Sequence, residues 1–391
     1  MTTPPEFVEL IAARQGAHEY PVRVGPGAVL PLGALAAEHD RVVLVSCRRV
    51  LATPFGRELR RRLSREASLA LVHVLPDGER GKTLRELERA AVAALRAGAT
   101  RRSLVVALGG GAVTDAAGFL AATFMRGLPW VAVPTTLLAM VDAAIGGKTA
   151  VNLPVAKNAV GAFHAPEAVL ADPAALATLP RRERASGTGE VMKYAALQPA
   201  LLEELAARAR LDPADPAVIA TCARMKVDVV EVDPLEKGAR KLLNLGHTFG
   251  HGIEAAGGFS RWTHGEAVAI GMAFAFRLAR RLGRVGDGPV EAVERHLAAV
   301  GLPVRAPAAA ARRAAALMAF DKKRGERGLL WVLPRAAGEG WEVEWDVPAD
   351  PGAVTATVAE IAGAPRERPG RRAPARARLA RGRPQRRRAA R

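Results

Sequence analysis

The chain has 391 residues, 49% of them hydrophobic and only 4% aromatic, and 57 Lys and Arg against 39 Asp and Glu give a net charge of +18. That length accommodates two domains with separate cores. No run of 18 uncharged apolar residues offers a membrane span, and the start MTTPPEFVELIAARQG lacks the basic-then-apolar order of a secretory signal.

In chain order, residues 6–24 predict two short strands around a Gly turn. RVVLVS (41–46), LALVHVLP (69–76), SLVVALGGG (103–111) and PWVAVPTT (129–136) are apolar β-rich runs that end at turn residues. Helical patterns separate them, notably Thr83–Ala97 and Val113–Arg126. Strands alternating with helices of this length predict a mostly parallel, Rossmann-like sheet covered on both faces, with ligands at the carboxyl ends of its strands. The Gly-rich segments 133–152 and 157–164 read as loops. After about residue 175 the strand signal stops, and Ala-, Leu- and Arg-rich helical periods run to about 320 before one short strand at 328–334. The expected fold is therefore α/β: a nucleotide-type domain over 1–177, a mostly helical domain over 178–363, and a tail from 364 to 391.

Two cysteines, Cys47 and Cys222, are too few for a disulfide framework, so a reducing cytoplasm is expected. Charge is unevenly placed. Residues 365–391 hold 12 Arg and one Glu, so +11 of the +18 sits there and +7 remains. With almost no large apolar residue, this tail is expected to be disordered, its one sharper role a non-specific contact with a polyanion such as nucleic acid. Only nine of the 57 basic residues are Lys. In an Arg-rich chain, Lys persists where a compact, proton-exchanging ammonium is needed.

The chemistry-bearing residues cluster in a few segments. SLVVALGGGAVTDAAGF ends a strand in Gly109, Gly110 and Gly111 and opens a helix, a place for a pyrophosphate, although Thr114 stands where a full G-x-G-x-x-G pattern has its third Gly. PDGERGKT offers Asp77, Glu79 and Lys82 for ribose hydroxyls or phosphate. Asp142, Lys148, Lys157 and Asn158 lie beside the nucleotide cleft, where basic groups suit an anionic substrate. Glu190 and Lys193 share a helix face, and Lys226, Arg240 and Asn244 precede LNLGHTFGH, with His247 and His251 one turn apart. His264 and Glu266 follow. Two imidazoles and a carboxylate with an open fourth position make a common catalytic zinc set, but spacing alone leaves open whether His247 and His251 are both ligands, one ligand and one acid–base, or core residues.

Taken together, GGG-x-x-x-D-x-x-GF, R-G-x-P, VPTTLL-x-x-VD, GGKTAVN, KN-x-x-GAF, GEV-x-K, NLGHTFGH, HGEAV and DKK occur here in the order seen in 3-dehydroquinate synthases, a resemblance covering roughly residues 20–340. The resemblance implies bound NAD and one Zn2+ (or Co2+), and conversion of 3-deoxy-D-arabino-heptulosonate 7-phosphate to 3-dehydroquinate and phosphate in the shikimate pathway. It implies metal ligands at Glu190, His247 and His264, with His251 assigned to substrate contact and proton transfer. Substrate contacts carry over to Arg126, Asp142, Lys148, Asn158, Lys193, Lys226, Arg240, Asn244 and the Lys322–Lys323 pair, of which Lys322 is preferred. Nucleotide contacts carry over to Asp77, Glu79, Lys82, Gly109, Gly110, Gly111, Asp115, Thr135 and Thr136, with Lys157 nearby. Thr114, the Ala143–Ala144 pair and Ser46 depart from the family pattern and bear on NAD affinity. A homodimer is expected. The competing readings are a sister sugar phosphate cyclase of the valiolone or inosose type and an NAD-dependent polyol dehydrogenase.

Overall fold

A computed structural model of the chain describes residues 8–207, 212–318 and 329–363. The N-terminal hairpin β1 (Glu9–Gln15) and β2 (His18–Val24) turns at Gly16, whose φ of 63° is a conformation glycine reaches without strain. β3 (Val42–Cys47), β4 (Leu69–Leu75), β5 (Leu104–Gly109), β6 (Trp130–Pro134) and β9 (Ala168–Ala171) join it in one sheet of order β1-β2-β9-β6-β5-β3-β4. Every pairing in it is parallel except β1 with β2.

The parallel strands are buried on both faces, which explains their near-continuous apolar composition. In β3, Val43 and Val45 face one core while Val42 and Leu44 face the other. The second core is closed by the helices Leu32–Ala37 and Pro54–Glu66, whose Leu32, Leu59 and Leu63 are buried against it. The first is closed by the helix Gly111–Thr123 and runs on without a break into the helical half. Sequence order reverses within the sheet: from β3 the chain goes outward to β4, then crosses back to β5 and continues to β6 on the other side. The carboxyl edge between β3 and β5 is thus the switch point where open α/β sheets leave a crevice.

Two expectations need correction. The segments read as loops after β6 are ordered: Ala139–Ala143 is a π-helical turn, and β7 (Lys148–Leu153) and β8 (Ala156–Phe163) form an antiparallel hairpin outside the main sheet. β8 buries almost no side chain, so it carries none of the apolar alternation that marks a half-buried strand. The strand signal also resumes late. β10 (Leu330–Ala337) pairs with β11 (Gly340–Pro348), and the helix Pro351–Ile361 closes the described chain.

From residue 181 to 318 the described residues are helical, as expected. Close backbone contact fixes three of these helices. A Cβ on Gly265 would lie 2.0 Å from the Ser186 carbonyl oxygen, and one on Gly189 would lie 2.4 Å from Gly265 Cα. Only glycine at both places lets the helices Arg181–Leu197 and His264–Arg281 touch there. Gly246, at φ 78°, lies against the same helix at Met272 and turns the chain into the helix His247–Ala256. Among the described residues, no helix is long and apolar enough to cross a membrane.

Candidate metal and nucleotide site

The Gly189–Gly265 contact sets Glu190 and His264 side by side, and the turn at Gly246 delivers His247 to them. Ligand-capable atoms of Glu190, His247 and His264 all lie within 4.8 Å of one another. Both imidazoles present Nε2 to Glu190 Oε1, at 3.5 Å from His247 and 3.2 Å from His264. Each has an acceptor at its other nitrogen: the Leu245 carbonyl 3.2 Å from His247 Nδ1, and Glu254 Oε2 3.2 Å from His264 Nδ1. Neither oxygen of the buried Glu190 accepts a well-formed hydrogen bond.

A buried carboxylate faced by two imidazole Nε2 atoms is a donor set that fits a divalent cation. Burial, reinforced by the His264 and Lys193 charges, holds His247 down to about 3, so its lone pair is free at neutral pH. Burial opposes charge on His264 too, but the facing carboxylates of Glu190 and Glu254 outweigh it and raise the ring to about 10. A bound cation would replace that proton. Glu266 is not part of the set. Its side chain accepts from the Thr263 backbone at 2.7 Å while Thr263 Oγ1 accepts from Glu266 N, a capping box that starts the His264 helix.

A chain of alternating charges runs from this cluster. Lys193 Nζ lies 2.6 Å from Glu190 Oε2 and 3.3 Å from Asp142 Oδ1. The same Asp142 oxygen accepts from Lys226 Nζ at 2.8 Å and from the Tyr194 hydroxyl at 2.7 Å. Burial works against the Asp142 charge, but Lys193 and Lys226 prevail and hold its carboxyl well below the ordinary range. Burial lowers Lys226 to about 8, with Asp142 opposing and Arg240 assisting. Beside it, Lys148 pairs with Glu236, and Asn244 Nδ2 donates to Glu236 Oε1 at 2.8 Å. The buried Arg240 donates to the carbonyls of Gly146 at 3.0 Å and Pro234 at 2.8 Å.

The nucleotide candidates lie at the carboxyl edge of the sheet. Gly109, Gly110 and Gly111 carry β5 into the helix Gly111–Thr123, which starts with no side-chain cap. A Cβ on Gly110 would meet the Thr136 methyl at 2.8 Å, so the backbone at the strand end stays bare. Bare glycines and an uncapped helix N-terminus at the switch point fit the pyrophosphate of a dinucleotide. Thr135 N donates to Gly109 O at 2.9 Å, locking the ends of β5 and β6 together. The buried Lys82 bonds to both Asp115 and Asn158, and Glu79 accepts from Asn152 Nδ2 at 2.6 Å. Asp77 stands at the end of β4 within 4.0 Å of Arg49 Nε.

Two of the residues that depart from the family pattern, Thr114 and Ser46, keep their hydroxyls in local bonds. Thr114 Oγ1 donates to the Gly111 carbonyl at 3.1 Å, and Ser46 Oγ donates to Leu108 O at 2.7 Å, so neither hydroxyl is left over. Two assigned residues, adjacent on β8, stand where the nucleotide and metal sides meet. Asn158 bonds to Lys82 on the nucleotide side, and Lys157 reaches Glu254 at 3.5 Å, beside His264. Arg126 is exposed on a turn where it and Met125 both take left-handed φ, outside these hydrogen-bond networks. His251 is exposed, its ring 5.4 Å from that of His247 and 6.0 Å from that of His264. Lys322 and Lys323 lie outside the described residues. Tyr194, Glu236 and Glu254 were missed. Of these, Glu254 carried a signal, since it stands seven residues after His247 and three after His251, on one helix face.

Comparison with known proteins agrees with this geometry. The 3-dehydroquinate synthase N-terminal family model matches residues 72–186, and the C-terminal model matches residues 187–324. A curated 3-dehydroquinate synthase of Halorhodospira halophila is 45% identical over 343 residues, 85% of this chain and 94% of the relative. A solved 2-deoxy-scyllo-inosose synthase, in complex with carbaglucose-6-phosphate, NAD+ and Co2+, superposes with a TM-score of 0.76 at 25% identity, covering 90% of this chain and all of that one. The 2-epi-5-epi-valiolone synthase of Streptomyces hygroscopicus, solved with NAD+ and Zn2+, gives 0.75 at 26% identity over 90% of this chain and 98% of the other. The two family models together match residues 72–324 and a curated relative is similar over 85% of the chain, and the protein belongs to the 3-dehydroquinate synthase family.

Proposed function

We propose that the protein is a 3-dehydroquinate synthase, converting 3-deoxy-D-arabino-heptulosonate 7-phosphate to 3-dehydroquinate and phosphate. One observation carries the reading. The Glu190–His247–His264 cluster is joined through Lys193 to the cationic group around Asp142, while the glycine edge of β5 offers a nucleotide site in the same molecule. Bound NAD would supply a reversible hydride acceptor, and a divalent ion held by Glu190, His247 and His264 would polarise substrate hydroxyls.

The chain's own residues do the rest. Glu190, His247 and His264 hold the ion. Lys148, Lys193, Lys226, Arg240, Asn244 and Asn158 bind and orient the anionic substrate, Asp142 holding Lys193 and Lys226 in place. Lys322 and Arg126 add positive charge for the substrate's phosphate and carboxylate. His251, on the exposed side of the metal ligands, moves protons between substrate and solvent at a ring nitrogen. Asp77, Glu79, Lys82, Asp115, Thr135 and Thr136 surround the nucleotide with Gly109, Gly110 and Gly111, and Lys157 stands at the border of the two sites. In this reading residues 1–177 form the NAD side and 178–363 the metal and substrate side. The enzyme is a cytoplasmic homodimer, in keeping with two buried free cysteines and with the family resemblance.

The test is turnover with metal, catalytic NAD and the heptulosonate phosphate. Stoichiometric phosphate and 3-dehydroquinate are expected. Hexose or heptulose phosphates turned over in its place would assign the chain to a sister cyclase.

A further inference from the structure

We infer that Glu254 is the positioning residue of the metal centre. It accepts the Nδ1–H of His264 and thereby turns Nε2 toward the ion, while Lys157 of β8 holds the carboxylate from the other side. The inference rests on the proposed metal set of Glu190, His247 and His264.

The two imidazoles differ in how they are held. His247 finds its Nδ1 acceptor in its own chain, the Leu245 carbonyl at 3.2 Å. His264 is the first residue of its helix and the more exposed of the two, and its Nδ1 acceptor is the Glu254 side chain at 3.2 Å. A carboxylate at that nitrogen selects the tautomer that leaves the Nε2 lone pair free, and makes that lone pair a stronger donor. Glu254 lies two helical turns after His247, so one helix supplies a ligand and the partner of a second ligand.

Glu254 is itself nearly buried, and an isolated buried carboxylate is costly. Lys157 Nζ compensates it at 3.5 Å, sitting 4.4 Å over the Phe259 ring. Lys157 comes from the hairpin whose next residue, Asn158, bonds to Lys82 beside Asp115. The hairpin therefore links the nucleotide edge to the orientation of a metal ligand. Ligand atoms of His251, Glu254 and His264 also lie within 4.8 Å of one another, but an ammonium against Glu254 disfavours a second cation there.

The test is Co2+ titration of the metal-free full chain, following visible d–d absorption and the apo melting temperature, for wild type, Glu254→Gln, Glu254→Asp, Lys157→Met and His264→Ala. Glu254→Gln is expected to bind Co2+ about 10–100-fold more weakly, with a changed absorption envelope and an apo form that still melts in one cooperative transition. Glu254→Asp should fall between it and wild type, and gives the same reading if the glutamine variant folds poorly. Lys157→Met should weaken binding in the same direction by a smaller factor. Wild-type affinity and spectrum in both Glu254 variants, with binding lost in His264→Ala, would overturn the positioning role and leave the metal set standing. Undiminished binding in His264→Ala would overturn both. A second equivalent of Co2+ bound by wild type and lost in Glu254→Gln would make Glu254 a ligand, and overturn the inference.

Discussion

At Lys226, burial works against the ammonium and brings it to about 8, with Asp142 2.8 Å away as the main opposing influence. Its ordinary value is 10.5, so between about 8 and that value the unfolded chain holds more protons than the folded one. This group therefore adds stability as pH rises through that window. Substrate capture needs the charged form and moves the other way: kcat/KM for the heptulosonate phosphate should fall above pH about 8 in a pH–rate profile, and Lys226→Arg should shift that limb upward. Removing the charge altogether in Lys226→Met takes away a charged hydrogen bond worth about 1.5–3 kcal/mol, a 10- to 150-fold loss read chiefly in KM. In the metal set, Glu190→Gln should abolish tight Zn2+ binding and turnover together, measured by metal content after dialysis and by phosphate release.

The residue scale was also the more legible one in the sequence. Glu190, Lys193, His247 and His264 stand together because each lies in a motif whose order is shared with the family, and Lys scarcity pointed to the cationic group. What remained hidden were partners that act across long sequence separations. Tyr194 reaches Asp142 from 52 residues away, and Lys148 finds Glu236 88 residues on. Spacing reads helix faces, not such contacts, so Glu236 stayed hidden.

Among the elements, glycine contacts govern the metal site. With the Ser186 oxygen 2.0 Å from a Cβ at Gly265, Gly265→Ala must push two helices apart. A loss of about 1–3 kcal/mol in denaturant unfolding is expected, and with it weaker metal binding, because Glu190 and His264 ride on those helices. Gly286, whose Cβ would meet nothing within 4 Å, provides the control, and Gly286→Ala should leave metal binding unchanged. The strands of the parallel sheet were readable from apolar runs ending in turn residues. The β7–β8 hairpin was not, because exposure on β8 removes the alternation on which such a reading depends. β11 differs. GWEVEWDVP alternates apolar and acidic residues as a strand should, but follows a long helical half.

At the scale of the whole molecule, one continuous core joins the sheet to the helical half, and the charge chain from Lys226 to Lys157 runs through residues drawn from both. The Arg-rich residues 364–391 stand apart from that arrangement in sequence. Deleting them should leave kcat and KM unchanged while removing any salt-sensitive retention on heparin or nucleic acid, a comparison made at two salt concentrations. A hydride that leaves the substrate and returns within one catalytic cycle produces no net NADH. Phosphate release and NADH absorbance, followed together in the metal-loaded enzyme with the heptulosonate phosphate, test it most directly. Many equivalents of phosphate per NAD with no accumulation of NADH are predicted. NADH rising in step with substrate consumed, with no phosphate released, would contradict the account and make the protein a dehydrogenase.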